Sequence, residues 1–426
     1  MGAEISSCLL LLALLLRPGL AGAQASVSGQ VRDSATHAPL PFASVFLANT
    51  SRGTTADAEG RFQLTNIVPG RYDLGVSYVD YRTYSRPLSL TGPVVLNPGV
   101  VSAAQRLAEV MVHPKPNRAA DYQRFKELFL GNSSLARRCR IRNPDGVRVE
   151  YDPQHNVLTA EVPHTLEVDN PTLGYHLTFY QLNFKAEFAG ESAGLTLLTQ
   201  VVFRELPGTE RQRQRWAANR QKAYLGSYQH FLRSVYANRV AEEGFRVQKL
   251  RREPNPRRIA ADHELRARQA QGRSVVLTDS LLEALRQPRV LSFLYLPPRP
   301  PDSLRRAEPG SGRVWLRFRD LLAVTYEREA PDVNYRQPGP DFTYTRPKHQ
   351  ASVVHLKRPA EVESFGAVVP PLAVVKEDYW GFEKIGELLP LDYQPPRLPH
   401  RRRRRSPRAD VIFGPNAGSA PPKSHP

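Results

Sequence analysis

One short motif in the chain has the residue types needed for ester hydrolysis. Residues 190–194 read Gly-Glu-Ser-Ala-Gly, a G-x-S-x-G pattern in which Ser192 would be the nucleophile. That chemistry requires a strand before the serine and a helix after it, so that the hydroxyl group is exposed at a sharp turn. The residues that follow, 195–203, are rich in β-branched and apolar side chains and predict a second strand. We therefore expect a hairpin here and disfavour Ser192 as a nucleophile.

A second motif has the spacing of a pair of zinc ligands. His164 and Glu167 spell H-x-x-E, but the flanking residues predict extended chain, in which positions i and i+3 face opposite sides. A catalytic zinc ion also needs a third protein ligand, which would have to come from His176, His230, His263 or elsewhere. We expect His164 and Glu167 to lie on a polar strand face, with no metal and no cofactor bound.

The third candidate is a polar patch on an amphipathic helix. Ser227 can cap the helix start, and Gly244 can end it. An apolar stripe supports this helix, with members Tyr228, Leu232, Val235, Tyr236 and Val240. The candidate patch near its start consists of Tyr228, His230, Arg233 and Tyr236. A helix-surface histidine serves packing or solvation more often than chemistry, so this patch is a weak binding-site hypothesis.

The elements around these motifs begin with a run of short strands. Between residues 26 and 81, apolar side chains alternate with polar ones, which indicates half-buried strands. Turn-forming residues separate the runs, among them 33–34, 49–51, 57–60 and 69–70. Short strands at this spacing predict a small antiparallel sandwich.

This stretch resembles the carboxypeptidase-like regulatory domain, a transthyretin-like sandwich, over about residues 24–112. The resemblance rests on Ser28–Val31, Pro39–Val45, Thr54-Thr55, Gly60–Phe62, Gly70–Leu74, Val76–Val79 and Leu107–Val112. The family has a glycine after the Val76–Val79 piece, where this chain has Asp80. The resemblance implies a β-module found beside peptidase domains that is not itself a catalyst.

Beyond a Pro-broken linker at 113–117, residues 118–394 predict a larger α+β domain, so the fold class is mainly β with α. Predicted helices are 118–130, 227–244 and a last short one through Phe382, Ile385, Leu388 and Leu389. Residues 251–272 predict an exposed helix or loop. Predicted β segments are 147–204, 289–295, 312–327 and 351–355. Residues 395–426 predict a basic disordered tail.

The larger domain also resembles the extension that follows the regulatory domain in a group of exported proteins of outer-membrane bacteria. The matching pieces are Phe129–Gly131, Cys139–Pro144, Leu173–Tyr175, Tyr224–Ser227, His230–Arg233, Tyr379-Trp380 and Leu388–Tyr393. This resemblance implies no activity and no functional residues. Cys139 matches the pattern, and we interpret it as a small buried residue.

The first 23 residues predict an export signal. A short apolar run at 8–16 is followed by the small residues Ala21 and Ala23, and cleavage after Ala23 would start the mature chain at Gln24. The run is too short to span a bilayer. The expected location is periplasmic, outer-membrane-associated or on the cell surface.

The formal net charge is +18, and it is concentrated in residues 204–273 and in the tail. Five consecutive arginines, Arg401, Arg402, Arg403, Arg404 and Arg405, could bind an anionic membrane surface. No stacking aromatic residues interleave the tail arginines, which argues against nucleic acid as a partner. The sequence thus predicts an exported non-enzymatic envelope protein that binds an envelope protein or glycan. The alternatives are an accessory to a TonB-dependent outer-membrane transporter and, disfavoured, a zinc carboxypeptidase or serine esterase.

Overall fold

The computed structural model describes residues 25–103, 117–189, 192–270, 277–338, 344–396 and 417–418. The chain divides into two compact units, Met1–Pro114 and Lys115–Pro426. The predicted signal at 1–23 with Ala23 and Gln24, and the linker apart from Asn117, lie outside the described residues.

The first unit is a β-sandwich whose strands are short. They are β1 Ala25–Gln30, β2 Arg32–Asp33, β3 Ser44–Leu47, β4 Gly53–Thr55, β5 Arg61–Ile67, β6 Gly70–Ser77, β7 Tyr84–Leu90, β8 Pro93–Val95 and β9 Gly99–Val100. One sheet has the order β5-β1-β8 and another β4-β3-β6-β7, while β2 pairs with β9. The predicted alternation is confirmed, since Val27, Val45, Phe62, Leu74 and Val76 are all buried.

Two details of this unit differ from a purely antiparallel sandwich with family-like turns. β1 pairs in parallel with β8, and β2 pairs in parallel with β9. The last two strands of the unit therefore lie beside its first two. Asp80 has a φ of 62°, the left-handed conformation that a glycine would adopt most easily. The turn after Tyr78 is therefore kept although the glycine is absent.

The second unit holds six α-helices and most of the strands among the described residues. Its helices are α1 Ala119–Leu130, α2 Glu210–Tyr224, α3 Tyr228–Tyr236, α4 Pro256–Ala270, α5 Asp279–Arg286 and α6 Tyr379–Phe382. The strands are β10 Arg140–Ile141, β11 Arg148–Asp152, β12 Val157–Glu161, β13 Leu166–Asn170, β14 Tyr175–Ala189, β15 Ser192–Glu205, β16 Phe245–Pro254, β17 Val290–Pro298, β18 Arg305–Ala307, β19 Val314–Leu316, β20 Leu321–Tyr326, β21 Gln337–Pro338, β22 Tyr344–Thr345, β23 Gln350–Leu356, β24 Glu361–Val362, β25 Val368–Val369, β26 Val374–Asp378 and β27 Ala417–Gly418.

The first sheet of this unit is built on the long strand β14. The first half of β14 pairs with β13, its second half with β12, and nearly its whole length with β15. Helix α1 packs on this sheet through Phe125 and Phe129, whose rings stack at 5.0 Å and contact Phe184 and Phe179. The predicted helix at 118–130 and the β region at 147–204 are confirmed.

A second sheet runs in the order β26-β23-β20-β16-β17-β27, and a smaller one in the order β18-β19-β24-β25. Helix α3 and residues of both sheets share one buried cluster, which includes Phe231, Val247, Leu316, Val324 and Trp380. The alternation in β19 turns Val314 and Leu316 inward and leaves Trp315 partly exposed. The predicted strands at 289–295, 312–327 and 351–355 are confirmed in this region.

Several helix predictions were wrong or incomplete. Helix α3 ends at Tyr236 and not at Gly244, because Asn238 takes the left-handed conformation (φ 57°) that stops a helix. Residues 251–254 continue β16 before α4 begins. The last helix is a single α-helical turn, α6, followed by a separate 3₁₀ turn at Ile385–Glu387.

Helices α2 and α5 were missed altogether. Helix α2 starts with a capping box, in which the Thr209 hydroxyl accepts the Gln212 N–H while the Gln212 side chain accepts the Thr209 N–H. At α5 the Thr278 hydroxyl accepts the N–H of Leu281. Both caps are visible as residue types in the sequence.

The remaining predictions concern Cys139, the tail and the membrane. Cys139 is buried and free, as predicted, and burial raises the pKa of its thiol to about 12. The tail prediction, including Arg401–Arg405, falls almost entirely outside the described residues; the exceptions are residues 395–396 and β27, whose two residues pair with Ser292 and Phe293. Across the described ranges, no helix has the length and apolar character needed to cross a bilayer.

Candidate functional site

His230 is a buried residue and not part of a surface patch. The Ser227 side chain caps α3 by accepting the His230 N–H, as predicted. The imidazole accepts the Gly226 N–H at Nδ1 (3.1 Å), and its Nε2 lies 3.6 Å from a carboxylate oxygen of Glu243. Burial lowers the pKa of His230, against the opposing effect of Glu243. The ring packs against aromatic side chains, which are Tyr224, Phe245 and Tyr326.

The other members of the predicted patch face different surroundings. Arg233 donates to the carbonyl oxygens of Phe365 and Leu391, at 2.9 Å each, and so ties α3 to two later loops. Tyr228 packs against Trp380, while Tyr236 is a half-buried member of the α3 cluster. The four residues do not form one exposed patch, because His230 is buried while Arg233 and Tyr228 contact segments far along the chain.

The proposed zinc pair is not assembled. His164 is exposed in a bend before β13, so its predicted strand position was wrong, whereas Glu167 lies on β13 as expected. The neighbour of Glu167 is instead His176, whose Nδ1 lies 2.7 Å from Asp169. Within the described segments, no three His, Cys, Asp or Glu side chains are grouped so as to hold a metal ion.

Of the G-x-S-x-G motif, the structure describes Ser192, Ala193 and Gly194, which lie at the start of β15. Ser192 opens β15 and pairs with Ala189 at the end of β14, as expected for strand, turn and strand. A helix does not follow the serine, since β15 continues to Glu205. The backbone context required for a nucleophile at the end of a strand is therefore not formed here.

A pocket rich in carboxyl groups surrounds Asp332 and is not predicted by any sequence motif. Its centre is Asp332, which accepts hydrogen bonds from the backbone N–H and the hydroxyl of Ser134, while the Asp332 N–H donates to the Tyr379 hydroxyl (3.2 Å). Glu329, Glu383 and Glu387 also line the pocket. The residues that line the pocket come from widely separated segments, so they form no local sequence motif.

Burial shifts the pKa values of the three glutamate carboxyl groups of this pocket upward. Burial raises the pKa of Glu329 to about 7 and that of Glu387 to about 8, and it raises the pKa of Glu383 well above its ordinary value. Burial also lowers the pKa of the adjacent Lys384 to about 8. The cavity volume is about 20 Å³, which suits a water molecule and not an organic ligand. The pocket therefore has no room for an organic substrate.

An open groove of about 580 Å³ lies on the outer side of the β18–β19 hairpin. Arg306, Glu308, Trp315, Arg317 and Pro359 line it, with buried Leu316 at its floor. Its volume falls in the usual range for small-ligand sites. The alternation Val-Trp-Leu-Arg-Phe at 314–318, in which Trp315 and Arg317 fall on one face, is the sequence signal for this groove.

The comparisons with known proteins identify the first unit. Residues 27–112 match the family model described as the CarboxypepD_reg-like domain. This chain carries a CarboxypepD_reg-like domain. The match covers the sandwich and its continuation to residue 112, and the family resemblance predicted from the sequence is confirmed.

The solved structures compared below have low TM-scores against this chain. The pilus 2b backbone protein of group B streptococcus is 15% identical over 19% of this chain and 42% of its own, with a TM-score of 0.17. A DUF3823 family protein from Parabacteroides merdae is 11% identical over 42% and 81%, at the same TM-score. The major pilin subunit of Bacillus cereus is 10% identical over 80% and 95%, again at 0.17. These scores support no inference about fold or function. No curated protein matches the sequence.

Proposed function

We propose that this chain is an exported, non-enzymatic cell-envelope protein, in which the CarboxypepD_reg-like domain is an interaction or spacer module and the larger unit binds a partner or a glycan. The match of residues 27–112 to that regulatory-type domain carries the proposal. Export is supported by the apolar run and the Ala21 and Ala23 cleavage signal of the first 23 residues.

The surroundings of the candidate catalytic residues support a binding role over hydrolysis. His230 is held between a backbone N–H and Glu243 in an aromatic cluster and is only 4% exposed. His164 is an isolated exposed residue, and Ser192 begins a strand. The backbone at Ser192 also lacks the strand–turn–helix context that holds a serine nucleophile, since β15 continues to Glu205.

Phe42 supports an interaction role for the sandwich. Its ring is 68% exposed, and its φ is 60°, a conformation that is strained for a bulky side chain. A strained residue that gains no burial within its own unit is a candidate contact for a partner.

Fractionation and capture test this proposal. The protein should be found in the envelope fraction, with an intact mass that starts at or within a few residues of Gln24. Cross-linking in solubilised envelope should capture a partner, and Phe42→Ser should weaken that capture. Leu296→Ser, which removes an apolar side chain of similar exposure (72%) from the other unit, is the control.

The rival functions give different results in the same preparation. Capture of an outer-membrane transporter would specify the accessory role. Full-length protein in the cytosol would contradict export. Stoichiometric zinc in the purified protein would overturn the expectation that no metal binds, and ester turnover that Ser192→Ala abolishes would overturn the non-enzymatic assignment.

A further inference from the structure

Two arginines in the groove beside Trp315 have no partner for their charge among the residues that the structure describes. Arg306 lies directly across from Trp315 in the β18–β19 pair, and Arg317 lies two residues after Trp315 on the same face. Within the described part of the chain, neither guanidinium group makes a hydrogen bond or an ion pair. By ordinary strand geometry, their Cβ atoms are about 5 Å and about 7 Å from that of Trp315.

The other charges at this site are already paired. Arg313 donates from Nε and Nη2 to Glu361 at 2.7–3.1 Å, and its Nη1 lies 3.7 Å from Glu308. The Arg313 guanidinium lies 4.8 Å from the centre of the Trp315 ring. This arrangement holds the indole in place and offsets the carboxylate of Glu308. The groove therefore presents an anchored aromatic side chain, with Arg306 across from it and Arg317 two residues after it, both unpaired among the described residues.

We propose that this groove binds an anionic saccharide through its carboxylate groups and through the apolar face of a sugar ring. A guanidinium group matches a carboxylate in a bidentate pair, which suits Arg306 and Arg317. The C–H face of a sugar ring makes dispersion and hydrophobic contacts with an indole. The inference rests on the proposed binding function and names its ligand class.

The groove chemistry favours this ligand over a nucleic acid. A single-stranded nucleic acid needs a series of stacking side chains along a basic track, and Trp315 is the one aromatic side chain among the residues that line this groove. A uronate oligomer instead needs one stacking surface with cations beside it, which is what the groove supplies.

Fluorescence titration with trigalacturonate tests the proposal on the full mature chain. Of the three tryptophans, Trp216 and Trp380 are buried and Trp315 is partly exposed, so bound saccharide should change mainly the Trp315 emission. The double variant Arg306→Gln and Arg317→Gln should weaken binding by about tenfold or more, because charge-assisted hydrogen bonds are lost. Trp315→Phe should abolish most of the signal, and calorimetry measures its remaining affinity.

Matched controls separate specific binding from attraction by the net charge of +18. Arg211→Gln with Arg215→Gln removes the same charge from the exposed face of α2, where neither side chain has an ion pair in the described structure, and should leave the affinity unchanged. The fully methyl-esterified trisaccharide should not bind measurably. All substituted residues are at least partly exposed, and thermal melting verifies that the variants fold.

Each remaining outcome decides against the groove. Equal weakening by both double variants, equal binding of the esterified sugar, or no binding of trigalacturonate would overturn the assignment, as would tighter binding of a single-stranded oligonucleotide that depends on the same residues. Envelope location and partner capture would still stand in those cases. Finding the protein in the cytosol, or finding hydrolase activity, would instead refute the proposed function. The saccharide titration would still decide separately whether the groove binds this ligand.

Discussion

The two units bury their side chains in different ways. The sandwich forms its core by strand alternation within one stretch of chain, and that core is mostly aliphatic, with Leu47, Leu74 and Val76 fully buried. The larger unit joins distant segments through aromatic contacts, as Phe129 of α1 does with Phe179 of β14, and it also encloses several carboxyl groups. A core built by local alternation can be read from a sequence, whereas a core assembled from distant segments cannot.

The largest effect is expected from removing an aromatic contact in the larger unit. Phe179 is fully buried against Phe129, so Phe179→Ala should lower the free energy of unfolding by about 3–5 kcal/mol, through lost burial and a residual cavity. Phe179→Leu should cost about 1 kcal/mol or slightly more, because the volume change is small. Urea denaturation followed by circular dichroism measures both. Equal costs for the two substitutions would show that the aromatic contact is not decisive.

A smaller effect should reveal how tightly the sandwich packs. Gly75 in β6 lies across from Phe46, and a Cβ atom there would approach the Phe46 ring to 2.2 Å. Gly75→Ala should therefore cost about 1–3 kcal/mol by overpacking. Gly92→Ala is the control, since no atom lies within 4 Å of its Cβ position. Thermal melting compares the two, and an unchanged melting temperature for Gly75→Ala would show that the sandwich core adjusts easily.

The smallest expected effect is a difference between the two units in how their stability depends on pH. The raised pKa values of Glu329 (about 7) and Glu387 (about 8) mean that the folded unit binds these protons more tightly than the unfolded chain does. Their contribution to stability is complete below the unfolded value near 4.5 and is lost as the pH rises through about 7 to 8. Lys384, with its pKa lowered to about 8, has the opposite slope only above that pH.

Glu329→Gln isolates one of these groups. Relative to the variant, the wild type should lose about 1 kcal/mol of stability between pH 5 and pH 8. Each unit of pKa shift corresponds to about 1.4 kcal/mol, and solvent screening of this partly exposed carboxyl group makes the observed loss smaller than the full shift would give. In the sandwich the sign is reversed: hydrogen bonds from Thr36, Tyr81 and Ala35 lower the pKa of Asp33 to about 2. Its contribution is present above pH 4 and is lost as the pH falls through 2. Parallel pH curves for wild type and Glu329→Gln would contradict this account.

The errors of prediction have local physical causes. The helix predicted to reach Gly244 stops at Tyr236, because Asn238 can adopt the left-handed conformation nearly as well as glycine. Helices α2 and α5 were missed because few of their residues are buried, although Thr209 and Thr278 marked their starts. The predicted patch around His230 is not exposed, because later segments of the chain pack over this side of the helix and bury the imidazole.

The sequence by itself determined the sandwich, the CarboxypepD_reg-like identity of residues 27–112 and the hairpin at Ser192, since each depends on residue alternation or on spaced local motifs. The tertiary structure alone decided the burial of His230, the carboxyl pocket around Asp332 and the groove beside Trp315. The carboxyl pocket joins segments far apart in the chain, His230 is enclosed by aromatic residues from other elements, and the groove adds Pro359 to the β18–β19 hairpin. Burial determines the pKa values of the glutamates in the carboxyl pocket. Pairing between residues distant in sequence determines which arginines of the groove have no partner among the described residues. The residues next to these groups in the sequence predict neither property.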